Sequence, residues 1–161
     1  MSANYTKEWT ITVSKNDVYF DIDYLSLKYA ETSGGENPVR DDNVATETAD
    51  GGSKRIVKRL CDHRASDIRT LLAKYIKSEN TSAGSDAFAD ANWVYTLSIS
   101  TEADGNTLSA LADLIHDYIV NGALNDYYAQ LGVNGNRESL QIRAKAAYEG
   151  IRQLIYFRPM P

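Results

Sequence analysis

The chain has 161 residues, 43% of them hydrophobic and 24% charged, which fits one soluble globular domain with a core that needs no disulfide or metal staple. A formal net charge of −5 disfavours a broad nucleic-acid-binding surface, and a single cysteine, Cys61, excludes an internal disulfide. No run approaches a membrane span, and the polar stretch from Met1 to Trp9 is no signal peptide, so neither insertion nor signal-peptide secretion is expected.

Trp9, Ile11 and Val13 alternate with Thr10 and Thr12, the period of a strand covered on one face. Ser14 to Asp17 reads as a turn, and Val18, Phe20 and Ile22 then alternate with Tyr19, Asp21 and Asp23. The expectation is a hairpin of strands at 9–13 and 18–22. Asp23 then caps a short helix from Tyr24 to about Ala30, with Leu27 facing the core.

Residues 31–53 differ in character. They hold four glycines, one proline, six acids and one base, Arg40, so their net charge of −5 equals that of the whole chain. A connection this long without periodicity is unusual in a compact domain. It is read as a mobile acidic loop or insertion, or as a segment that orders only against a partner.

Lys54 to Lys77 is expected to be the first long helix, with Val57, Leu60, Cys61, Ile68, Leu71, Leu72 and Tyr75 at helical spacing. Lys54, Arg55, Lys58 and Arg59 crowd its first turns, where cations oppose the helix macrodipole. The acidic stretch upstream is the nearest group able to offset them. A soft region at 78–91 precedes a strand at 93–99, where Trp93, Tyr95, Leu97 and Ile99 share a face. Asn106 or Thr107 caps the second long helix, which carries Leu108, Leu111, Ile115, Tyr118 and Ile119 and continues through Leu124, Tyr127, Tyr128 and Leu131. Gly122 is a candidate bend.

Gly132 to Asn136 turns the chain, and the third long helix runs from about Arg137 to Phe157, ended by Pro159. Its buried side is Leu140, Ala144, Ala147, Tyr148, Ile151, Leu154 and Ile155. The short turn makes the second and third helices antiparallel neighbours. The whole is a single α+β domain over 1–161, mainly helical: three long helices with a small, mostly antiparallel sheet of two to three short strands.

Catalytic patterns are scarce. His63 and His116 lie in different helices, and no Cys–His pair stands at helical spacing. One Cys and two His match no zinc motif, and Asp21 with Asp23 on one strand face falls short of a calcium loop. Gly34-Gly35 and Gly51-Gly52 lack the lysine and hydroxyl of a phosphate-binding loop. Trp9 and Trp93 sit in alternating strands and read as core rather than as a sugar platform. No catalytic residues, metal site or cofactor are assigned.

Tyrosine is the conspicuous residue, with 11 against three phenylalanines. Tyr127-Tyr128 and Tyr156-Phe157 are adjacent pairs on helices, where neighbours diverge by about 100°. Each pair is therefore expected to divide between core and a partner surface, because tyrosine suits interfaces. Arg158 lies just past the last buried stripe. The candidate interface residues are Tyr127, Tyr128, Tyr156, Phe157 and Arg158, with the basic cluster Lys54, Arg55, Lys58 and Arg59.

The run from Asp117 through Tyr118-Ile119-Val120-Asn121 to Tyr127-Tyr128, followed by Ala144 to Tyr148 and by Ile151 to Pro159, resembles small uncharacterised proteins from the structural modules of tailed bacteriophages and prophages of Bacteroidales. In those proteins a helix with a Tyr-Ile/Val motif ends in an aromatic pair, and the next helix closes on Arg-Pro, as Arg158-Pro159 does here. Tyr127 stands where those proteins usually carry Trp. The resemblance implies a non-enzymatic virion protein of the neck, tail or head–tail junction, working with other virion proteins as a homo-oligomeric ring. It implies location in the virion, and in host cytoplasm during assembly. The alternative class is a bacterial protein-binding or regulatory module, with a small enzyme less favoured.

Overall fold

A computed structural model describes residues 6–32, 51–76, 91–100, 105–132 and 134–156. The elements run β1 (Thr6–Ser14), α1 (Lys15–Thr32), α2 (Gly51–Leu71), β2 (Asn92–Ser100), α3 (Gly105–Leu131) and α4 (Arg137–Tyr156). The protein is mainly helical, with a two-stranded antiparallel sheet among the described residues. Most of the expected loop at 31–53 and of the soft region at 78–91 lies outside them. Residues 31–32 belong to α1 and residues 51–53 to α2.

The expected strand at 18–22 is a correction: this segment is helical. Ser14 ends β1, and its Oγ accepts the Asp17 backbone N–H at 3.3 Å, an N-cap bond to the third helical residue. The buried side chains are Lys15, Val18, Tyr19, Ile22, Asp23 and Ser26, which recur at helical spacing. Alternation over five residues mimics a strand, but Phe20 is 66% exposed while Val18 and Ile22 are buried. The short helix expected at 24–30 is the second half of α1. Asp23 is therefore no cap: it is buried within the helix, and its carbonyl accepts the Ser26 hydroxyl at 2.9 Å. Leu27, expected in the core, faces outward at 45% exposure.

β1 pairs instead with β2, in the register Trp9–Leu97, Ile11–Tyr95 and Val13–Trp93. Ile11, Val13, Trp93, Tyr95 and Leu97 form the buried face of this ladder. The far edge of β2 is met by the turn after α2, where the Ser98 N–H donates to the Tyr75 carbonyl at 2.7 Å. Helix α2 ends at Leu71, earlier than expected. Two side chains tie the sheet to α2. Trp93 Nε1 donates to Asp62 Oδ1 at 3.0 Å, and the Tyr95 hydroxyl donates to the Ala65 carbonyl at 2.8 Å. The Tyr19 ring meets Trp93 edge-on at 6.2 Å between centroids, which locks α1 to the same corner.

Helix α3 is the hub, in contact with α1, α2, α4 and β1. Every residue from Tyr118 to Asn125 is buried, as are Tyr127 and Tyr128. Helices α3 and α4 run antiparallel, since Leu114 lies beside Gly150, the Tyr118 ring faces Tyr148 at 5.6 Å, and Asn125 bonds Arg137. A Cβ on Gly150 would stand 3.2 Å from Leu114 Cδ1, so glycine permits the close approach of these helices. Gly132 closes α3 with φ of 74°, the left-handed conformation that only glycine adopts freely.

Two substitutions test this arrangement. Ser14→Ala removes the α1 cap and should cost about 1 kcal/mol in urea unfolding, whereas Ser14→Asp should retain most of the stability. Burial holds the Asp62 carboxyl above the usual carboxylate range, opposed by the Trp93 N–H and by Lys15 and His63. The folded state therefore holds the Asp62 proton more tightly than the unfolded chain does. That contribution is complete below the unfolded carboxyl pKa and is lost as pH rises through the folded one. Measured from neutral to mildly acidic pH, wild type should gain stability relative to Asp62→Asn as pH falls.

Candidate functional site

Helix α1 presents an apolar face to solvent. Phe20 is 66% exposed, Tyr24 58% and Leu27 45%, and their spacing of four and three puts them on one side. The same helix buries Val18, Tyr19 and Ile22 beneath, so the outward face is not needed for the core. Two clefts flank it. One, of about 510 Å³, lies where α1, α3 and α4 meet and is lined by Asp21, Tyr24, His116, Asp117, Asn121 and Arg143 among others. The other, of about 380 Å³, is lined by Asp17, Phe20, Asp21, Asp113 and His116, with the end of β1.

The clefts share a wall made by His116 and Asp21, whose Nε2 and Oδ2 are 2.5 Å apart. This pair joins α3 to α1 across 95 positions of sequence. Asp117 lies beside it, its carboxyl held above the usual range by burial, with His116 opposing and Asp113 and Asp21 adding to the effect. Asn121 is buried at the cleft floor. Its Nδ2 donates to the Asp117 carbonyl at 2.8 Å, and its Oδ1 has no partner among the described residues.

A second polar centre stands between α2 and α3. Arg64 grips Asp126 with a two-pronged fork, Nε to Oδ2 at 2.8 Å and Nη2 to Oδ1 at 2.7 Å. Its Nη1 donates to the Tyr118 hydroxyl at 3.0 Å, and that hydroxyl donates to Asp67 Oδ2 at 2.9 Å. The Asp126 hydrogen bonds push the Arg64 pKa up against the opposing effect of burial, so the guanidinium stays charged. The fork needs room on α3, and Gly122 supplies it: a Cβ there would stand 2.7 Å from Arg64 Nε. Gly122 is thus the bed of an arginine within a continuous helix.

Sequence-assigned interface residues fall in three groups. Tyr127 and Tyr128 are both buried, at 3% and 0% exposure, with ring centroids 6.4 Å apart. This corrects the expected division of the pair: α3 is enclosed on all sides there, so adjacent positions both find cover. Arg55 and Arg59 are exposed on α2, and Lys58 is partly buried with Nζ 5.1 Å from the Tyr19 ring centroid. With α2 beginning at Gly51, Lys58 stands about two turns in, beyond the first turn in which the macrodipole is expected to oppose it. Lys54 and Tyr156 lie in α2 and α4, but their side chains are outside the described set, as are Phe157 and Arg158 entirely. The acidic segment expected to balance the basic cluster also lies outside it.

Among the described residues no group of His, Cys, Asp and Glu is placed to hold a metal. Cys61 is fully buried, and burial pushes its thiol pKa up, so it stays a neutral thiol. Asp21 and Asp23, read as neighbours on one strand face, point apart on a helix: one bonds His116 and the other is buried. Trp93 is core, and partly buried Trp9 lies under the Lys7 ammonium, 4.6 Å from its ring. No helix among the described residues is long and apolar enough to cross a membrane.

Sequence reasoning missed Phe20, Tyr24 and Leu27 as a surface, and Arg64, Gly122 and Asp126 as a unit. The first had a signal in the Ser14-x-x-Asp17 cap pattern, which starts a helix rather than a turn. The second had none, because its partners are 62 positions apart. Compared with known proteins, the chain matches no family model, no curated protein and no solved structure.

The Arg64 centre yields a direct test. An alanine in a helix interior normally gains about 1 kcal/mol over glycine. Gly122→Ala should instead lose about 1–2 kcal/mol in urea unfolding, because the displaced guanidinium leaves Asp126 and Tyr118 short of partners. In an Arg64→Met, Asp126→Asn background the same change should turn neutral or stabilising.

Proposed function

We propose that the protein is a non-enzymatic assembly subunit that binds other proteins through the exposed face of α1, and that the assembly is the virion of a tailed bacteriophage. The observation that carries the binding reading is the row Phe20, Tyr24 and Leu27, three large apolar side chains on one helix face with no core role. Aromatic anchors of this kind are enriched at the centres of protein interfaces. The clefts beside the row are open and mixed in polarity, and the sole thiol is sealed in the core, which suits a binding surface more than a reaction site.

The phage reading is supported by the sequence resemblance of the stretches from Asp117 to Tyr128 and from Ala144 to Pro159. On that reading the chain occupies the neck, tail or head–tail junction as a homo-oligomer beside other virion proteins. It is made in the host cytoplasm and ends in the particle. Neither cofactor nor nucleic acid enters this role.

Phe20→Asp and Tyr24→Asp, singly and together, test the proposal. Their side chains are exposed, so unfolding free energies should stay within about 0.5 kcal/mol of wild type. Incorporation into particles should fall at least tenfold, the loss of one hot spot of about 1.4 kcal/mol. Mass spectrometry of purified particles should find the wild-type chain at a stoichiometric count. Folded chain left wholly outside the particles rejects the virion role, and unimpaired incorporation of the double variant rejects the α1 surface.

A further inference from the structure

We propose that copies of the chain join head to tail, the acidic apolar face of α1 on one copy resting on the basic first half of α2 on the next. The inference deepens the assembly reading above and rests on it.

The two surfaces are complementary in charge and alike in having an apolar centre. Around Phe20 and Tyr24 stand Asp17 and Asp21 from α1 and Asp113 and Asp117 from α3. The bases near this row are Arg143, which lines the larger cleft, and Lys28, one turn beyond Tyr24, with His116 already bonded to Asp21. Acids therefore outnumber bases along the apolar row. On α2, Ile56 is 39% exposed between exposed Arg55 and Arg59, which make no ion pair among the described residues. Residues 51–61 contain no acid, and Asp62 is turned inward to Trp93.

Beyond the α1 row and Ile56, the large exposed aliphatics among the described residues are Leu131, at the very end of α3, and Ile142. Ile142 on α4 is 62% exposed, but its surroundings alternate in sign through Glu138, Lys145, Glu149 and Arg152, the last two bonded at 3.4 Å. Such a face gives an acidic surface no net attraction. The α2 face does, and its arginines suit carboxylate partners at an interface.

Among the described residues of one copy, none of α2 lines the clefts beside Phe20 and Tyr24, which are formed by β1, α1, α3 and α4. The contact is thus between unlike surfaces, a heterologous one, which closes into a ring or runs on as a filament. Each copy then contributes both a socket and a plug. Association is expected in roughly the micromolar range, that of a weak, transient contact.

Sedimentation velocity and native mass spectrometry of the full chain test this. Wild type should grow in mass across the micromolar range, and association should weaken at least tenfold between about 0.05 and 0.5 M salt. Phe20→Asp/Tyr24→Asp blocks one surface and Ile56→Asp/Arg59→Glu the other, and each variant alone should associate at least tenfold more weakly. Mixed together, they should form a one-to-one pair that grows no further, because each retains the surface the other lacks. Circular dichroism and urea midpoints check folding, and Phe20→Ser with Arg59→Gln replaces any pair that unfolds.

A wild type that stays monomeric throughout overturns the proposal, and so does a dimer indifferent to the α2 variants or a mixture that fails to pair. A monomeric chain that still enters particles would remove this contact and leave the assembly reading standing. Head-to-tail association by a chain absent from particles would do the reverse.

Discussion

The enclosure of α3 is the constraint on which the rest depends. From Tyr118 to Tyr128 this helix has almost no free side, with α1, α2, α4 and β1 packed around it. A helix so placed must be apolar all round or must bring partners for its polar groups. Ile119, Val120, Ala123 and Leu124 meet the first demand. Tyr118, Asn125 and Asp126 meet the second through Arg64, Asp67 and Arg137. The guanidinium fork is tolerable in this setting because both charges are matched and a third N–H reaches the Tyr118 hydroxyl; losing one partner would leave a partly buried charge unpaired. Gly122 follows from the same crowding, since the arginine occupies the volume a side chain would fill.

Around this hub the outer elements divide their labour. The sheet is held by two side-chain bonds to α2 and by the Tyr19–Trp93 contact, so α1, α2 and the strands share one corner. Helix α1 needs only its inner side for that packing. Its outer side is free to carry Phe20, Tyr24 and Leu27, which add nothing to the core and keep about half their surface or more in water. Such exposure is disfavoured in a lone domain and useful in a subunit. Packing thus decides which aromatics are available: the tyrosines of α3 and Tyr19 of α1 are consumed by the core, and Phe20 and Tyr24 of α1 are left over.

The Asp21–His116 pair links that surface to the hub. It spans the groove between α1 and α3, sets one wall of both clefts and holds α1 against the buried helix. The acidic cast of the α1 face comes from both helices, so the surface exists only when α1 is docked. The shape of this face and the integrity of the fold are therefore coupled through the same contact.

Much of the fold was legible in the sequence because its signals are local. Period-two runs at Trp9–Val13 and Trp93–Ile99, helical spacing in α2, α3 and α4, and the Gly132 stop each depend on a few neighbouring residues. The stretch at Val18–Ile22 was misread because five residues fit both periods and the deciding cap bond is a single weak cue. The candidate site was far less legible. Whether Tyr127 and Tyr128 are both covered depends on how many elements surround α3, and whether Phe20 is bare depends on which side of α1 finds a partner. Sequence by itself determined a mainly helical α+β chain, the approximate ends of α3 and α4, and the lack of local catalytic or metal spacing. Only the tertiary structure decided the β1–β2 pairing, the Arg64–Asp126 fork and the exposed face of α1. These join positions tens of residues apart, and burial is a property of the assembled helices rather than of any window along the chain.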